Sequence, residues 1–257
     1  MSRSDKSTEM LQNPAELFLK WSSDSKAFYY YDKNQDKEVT IPNNTPFIVL
    51  DTLNTCAGYD KNKQAGLWSN EVRNIKRDVM YLRAGKALVK EGVWSEIKGY
   101  SGVKFAKSVY AIAKIEGEYM LVNFKMAGCA SSVWFDFVRE VGGEKALYGD
   151  LVVACADAEG PLKNGSTVYY QPNFKVVTRK LSEEASELAI KADKELQSYL
   201  RDYFNKSAPE ENEDPKDLLD ENKPDPEEDE DPKDLFDENP KEQPVKKPEN
   251  DDDDIPF

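Results

Sequence analysis

Residues 103–128 read VKFAKSVYAIAKIEGEYMLVNFKMAG, and the fold class turns on them. Both halves alternate with period two, the signature of strands. In 103–116 one face carries Val103, Phe105, Lys107, Val109, Ala111, Ala113 and Ile115. The other carries Lys104, Ala106, Ser108, Tyr110, Ile112 and Lys114. After a turn at Gly117, residues 118–128 place Met120, Val122, Phe124 and Met126 opposite Tyr119, Leu121, Asn123 and Lys125. The stretch therefore predicts a long hairpin with one apolar face and one face bearing tyrosine and lysine.

Upstream, "KAFYYYD" and "EVTI" flank the polar "DKNQDK" as a second hairpin, and "PFIVLDTLN" (46–54) reads as a buried strand. The polar "AGYDKNKQAG" comes next as a loop, and "LWSNEVRN" resumes extended structure. Downstream, "DLVVACADA" and "VYYQPNFKVVTRK" add two strands. Residues 79–98 fit either a helix or two strands broken near Gly85 and Gly92, and "SSVWFDFVREVG" fits a strand or a short helix capped by Ser131 or Ser132. "NPAELFLKW" reads as a short helix, with Asn13 as N-cap and Pro14 at its first position. From Ser182 to Lys206, apolar residues recur at spacings of three, four and seven behind Glu183 and Glu184, which predicts an amphipathic helix.

The fold expected is mainly β with appended helices. It is an OB-fold-like barrel of about six short strands over 21–180, after a leader and short helix (1–20). A helix packed on the barrel (181–206) and a disordered acidic tail (207–257) complete it.

Charge divides the chain at the same place. Residues 207–257 hold 22 Asp and Glu against 6 Lys and Arg, whereas 1–206 holds 27 acids against 29 bases. The tail carries nine of the 14 prolines and repeats "EDPKDLLDEN" (213–222) as "EDPKDLFDEN" (230–239). A near-neutral, slightly basic body can meet an anion, while the tail has its own job.

The chain has no histidine, which removes Ser-His-Asp and Cys-His catalysis and the usual zinc sets. Cys56, Cys129 and Cys155 are scattered and odd in number, so they read as free thiols of a reducing cytoplasm. No phosphate-binding glycine loop stands in the sequence, "VGGEKA" lacking its spacing. No enzyme activity, cofactor, metal or membrane segment is expected. The body's aromatics and cations suit single-stranded DNA, because lysine neutralises phosphate and an aromatic plane stacks a base. The candidates are Tyr59, Lys61, Lys63, Trp68, Arg73, Lys76, Arg77, Lys104, Tyr110, Lys114, Tyr119 and Lys125. Trp134 joins them, although "VWFDFV" reads as core as readily as contact.

At the C-terminus "DDDDIPF" closely resembles the acidic tip of bacterial single-stranded DNA-binding proteins. Across roughly 28–140, "PFIVLDTLNTCAGYD", "GLWSNEV" and "GVKFAKSVYAIAKI" resemble a phage-encoded OB-fold single-stranded DNA-binding protein. The resemblance implies a body that coats single strands in the host cytoplasm. It also implies a tip, Asp251, Asp252, Asp253, Asp254, Ile255, Pro256 and Phe257, that recruits replication, recombination and repair proteins. The approach "KKPEN" departs from the bacterial pattern. The competing expectation is an acidic adaptor or DNA mimic that binds basic proteins and no DNA.

Overall fold

In a computed structural model, residues 12–149 and 151–205 are described. The repeats, the docking tip and most of the leader lie outside the described residues. Asn13 caps no helix: its Oδ1 accepts the Ala15 N–H at 3.0 Å in a local turn. The next element is a strand and not the expected helix: β1 (Leu17–Ser22) runs parallel to the second strand of the 103–128 hairpin. Its alternation explains the outcome, since Leu17, Leu19 and Trp21 join the main core while Phe18 lies on the other face.

β2 (Ala27–Asp32) and β3 (Lys37–Thr40) form the expected hairpin. β4 (Pro46–Asp60) is longer than "PFIVLDTLN", and β5 (Ala65–Trp68) returns against it, so the expected loop shrinks to residues 61–64. The two turns share one chemistry. Asp32 and Asp60 each accept backbone N–H groups two and three residues on, and Asp36 and Gln64 close the turns at φ 52° and 50°. The ambiguous segment resolves into β6 (Met80–Ala84), β7 (Ala87–Gly92) and a single turn, α1 (Trp94–Ile97). The central hairpin is β8 (Val103–Ile115) and β9 (Glu118–Ala127). Its two-residue turn holds Glu116 and Gly117 at φ 53° and 91°.

"SSVWFDFVREVG" is helical, within α2 (Cys129–Val141), but its N-cap is Gly128 and not a serine. Gly142 ends it in the left-handed region, its N–H bonding back to Arg139. The single turn α3 (Glu144–Leu147) precedes the strands β10 (Val152–Cys155), β11 (Glu159–Asn164), β12 (Thr167–Gln171) and β13 (Phe174–Thr178). The helix α4 (Glu183–Asn205) confirms the amphipathic reading, with Ser182 Oγ accepting the Ala185 N–H at 3.2 Å.

The large sheet has the order β3-β2-β1-β9-β8-β4-β5-β6-β7, with β10 joining β4 to β13. Among the described residues its outer strands do not pair, so the sheet is not closed into a barrel. The class is mainly β with a C-terminal helix. One face packs on α2, around Trp134, Phe47, Phe124 and Phe174. A second core, Leu67, Met80, Leu82 and Ile97, lies under α1. On the opposite face α4 seats Leu196 and Leu200 against Leu53, Tyr110 and Leu121.

Candidate nucleic-acid interface

Strand register assembles a row of side chains on the face turned away from the α1 core. Lys104 pairs with Ala57, Ala57 with Trp68, Trp68 with Arg83, and Arg83 with Leu88, across β8, β4, β5, β6 and β7. The intervening Leu67, Leu82 and Ala84 point into the core, so alternation turns this row outward. Trp68 is held edge-on, its Nε1 donating to the Gly85 carbonyl at 2.9 Å, while the Arg83 guanidinium lies 5.7 Å from its ring. Arg83 is itself covered, its Nη1 donating to the Lys86 carbonyl at 3.0 Å, so it braces the indole from below the surface. Leu88 is 48% exposed.

Tyr59 stands one alternation further along β4, opposite Gly66. It is 37% exposed, and its hydroxyl bonds to none of the described residues. The adjoining turn carries Lys61 and Lys63, both exposed. Its geometry is anchored by Asp60, which is buried and accepts the Tyr100 hydroxyl at 2.7 Å. That bond, chiefly, holds the Asp60 carboxyl below its usual range. An aromatic pair flanked by three lysines, with an arginine bracing one ring, is thus presented on a rigid sheet.

The remaining candidates lie apart from this row. Lys114 and Tyr119 are register partners at the tip of the β8–β9 hairpin, with the ammonium 5.3 Å from the ring centroid. Ten residues of strand separate Lys114 from Lys104, about 33 Å, so the two clusters do not form one site. Arg73, Lys76 and Arg77 are exposed on the segment after the Val72 bridge to Asn54. Arg73 is committed: it grips the buried Asp51 carboxylate through both terminal nitrogens, at 3.1 and 2.8 Å. This bond raises the Arg73 pKa further.

Two candidates are not at the surface at all. Tyr110 is fully buried, because α4 and the segment after β5 cover the middle of its face. Its hydroxyl donates to Glu71 at 2.7 Å and accepts from Asn13 at 2.9 Å. Burial pushes this phenol well above its ordinary value. Trp134 is also fully buried, in the aromatic core beneath α2, and offers no surface to a ligand. Lys125 is half-buried beside its register partner Lys20, and burial draws its pKa down.

Sequence reading missed Arg83, Leu88 and the half-buried Tyr81. Tyr81 and Arg83 alternate in "VMYLRAG", a signal hidden only by the helix-or-strand ambiguity of 79–98. No protein family, characterised protein or solved structure matches the chain. Among the described residues no helix is long and apolar enough to cross a membrane.

Proposed function

We propose that this chain is a non-enzymatic single-stranded DNA-binding protein, its body coating DNA and its C-terminal tip recruiting replication, recombination or repair proteins. The observation that carries the reading is the outward row Lys104–Ala57–Trp68–Arg83–Leu88 with Tyr59 beside it. Flat aromatic side chains accept any base, and the surrounding cations neutralise the backbone, which suits sequence-tolerant binding. The surface lies on strands, so stacking groups are held without loop ordering. The likeness of 28–140 and of "DDDDIPF" to phage and bacterial single-stranded DNA-binding proteins supports the same division of labour.

The test is a titration of the full chain with oligo-dT, followed by tryptophan fluorescence at low and moderate salt. Trp134 is buried, and Trp21 and Trp94 lie outside the row, packed edge-on against Phe28 and Phe105, so Trp68 dominates the quenching and Trp68→Phe abolishes most of it. Lys104→Ala lowers the slope of log affinity against log salt by about 0.7 in magnitude. No binding at low salt refutes the proposal and favours the acidic adaptor, for which the tail's net charge of −16 speaks.

A further inference from the structure

We infer that Tyr59 and Trp68 are the two jaws of a clamp that takes a single nucleobase between them, with Gly66 and Ala57 as its floor. This inference rests on the single-stranded DNA reading and adds the mode of capture. The register supplies the geometry. Tyr59 faces Gly66 and Trp68 faces Ala57, so each large ring stands opposite a position with little or no side chain. The two aromatics are a diagonal pair on one face, about 7–8 Å apart at the backbone. A planar base in van der Waals contact with both rings needs two gaps of about 3.5–4.0 Å. Two rings parted face to face to that spacing admit one base and no more.

The neighbours set where the jaws stand, over the buried Gly66. Trp68 leans toward the glycine row, since its Nε1 is tied to Gly85, whose own N–H bonds the Gly66 carbonyl at 3.0 Å. Arg83 approaches the indole from the β6 side, while Tyr59 lies on the β4 side. The Tyr59 backbone is in turn held, with its N–H bonded to the Gly102 carbonyl at 3.3 Å. No ring contact joins Tyr59 to Trp68, and the Tyr59 hydroxyl bonds to none of the described residues. Lys61 and Lys63 on the adjoining turn, and Lys104 across β4, flank the slot with the charge a phosphate needs.

A clamp makes a quantitative statement that two separate stacking platforms do not. If both rings hold the same base, removing either frees that base, and removing the second adds little. The experiment is a double-mutant cycle on the full chain with Tyr59→Ala, Trp68→Ala and the pair, titrated against oligo-dT and an abasic deoxyribose-phosphate strand of equal length. Each single variant is expected to weaken oligo-dT binding about 5- to 150-fold, and the double variant no more than about threefold beyond the worse single. On the abasic strand all four proteins bind alike. Tyr59→Phe, which keeps the ring, stays near wild type, and circular dichroism confirms that each variant is folded. Losses that multiply in the double variant, or an equal loss on the abasic strand, overturn the clamp while leaving the DNA-binding reading intact. A wild-type chain that binds no oligo-dT at low salt overturns both.

Discussion

Two backbone segments meet without side chains at Gly58 and Gly102, and this contact holds Tyr59 in place. A Cβ built on Gly102 would lie 2.0 Å from the Tyr59 carbonyl oxygen, and one on Gly58 would lie 2.0 Å from the Gly102 carbonyl oxygen. Gly102 also sits at φ +79°, which costs an L-residue about 1–2 kcal/mol. Backbone cannot swing aside as a side-chain tip can, so Gly102→Ala must part the end of β4 from the start of β8. Parting them loses the Tyr59 N–H bond, about 1 kcal/mol, and uncovers part of Leu67, roughly another 1–2 kcal/mol. The expected cost is about 3–5 kcal/mol in urea unfolding, the sum of these three terms. Gly117→Ala is the control: its φ is +91°, yet nothing lies within 4 Å of the added methyl, so only the conformational cost of about 1–2 kcal/mol applies. Gly102→Ala should also weaken oligo-dT binding, because Tyr59 moves, whereas Gly117→Ala leaves it unchanged. Equal unfolding costs for the two variants would refute the reasoning.

Buried titratable groups set two other expectations. Tyr110 keeps its proton more tightly when folded, because burial and the adjacent Glu71 raise its pKa. A raised folded-state pKa means that this stabilisation is complete below about pH 10 and is lost as pH rises through the folded value. The melting temperature therefore falls above about pH 10, and Tyr110→Phe makes that fall shallower; an identical slope would contradict the assignment. Cys56 and Cys155 are buried, and burial pushes both thiols up to about 11, whereas Cys129 is half-buried. A thiol-disulfide reagent at about pH 8 is expected to label Cys129 quickly and the other two only on unfolding. Fast labelling of all three in the native protein would show the cores to be open.

Period-two alternation made the β8–β9 hairpin legible, and the α4 helix was equally legible, because both patterns run long enough to outweigh local propensity. The β1 strand was not, since "NPAELF" carries a genuine capping signal and Leu17–Ser22 is too short for its alternation to compete. Its pairing with β2 and β9 decided the matter. The same logic separates the site residues. Lys104, Trp68 and Tyr59 could be placed on a surface from charge and flanking turns. Arg83 could not, because the strand that carries it is visible only once Met80 and Leu82 are known to share a core. Tyr110 defeats sequence reading for a different reason. Alternation assigns it correctly to the polar face, but nothing local says that a helix far downstream covers that face.

That covering helix decides which half of the polar face serves a ligand. Beneath α4 the sheet is rich in polar groups, but these groups satisfy one another. Glu71 accepts from Tyr110 and from Ser108, Ser108 accepts from Asn123 at 2.8 Å, and the Glu71 N–H bonds the Tyr203 hydroxyl of α4 at 2.8 Å. Gln197 of α4 donates to Asp51 at 3.0 Å, joining the helix to the Arg73 ion pair. Buried polar networks of this closure fix one arrangement and leave no valence for a phosphate or base. The outward half over β4–β7 is built on the opposite rule: an exposed tyrosine whose hydroxyl bonds to none of the described residues stands beside an indole braced at its edge. Unused bonding capacity on a rigid surface is what a ligand can complete. On this sheet it lies at the Tyr59 hydroxyl, beside the braced ring of Trp68, and not at the tyrosine that sequence alternation alone would select.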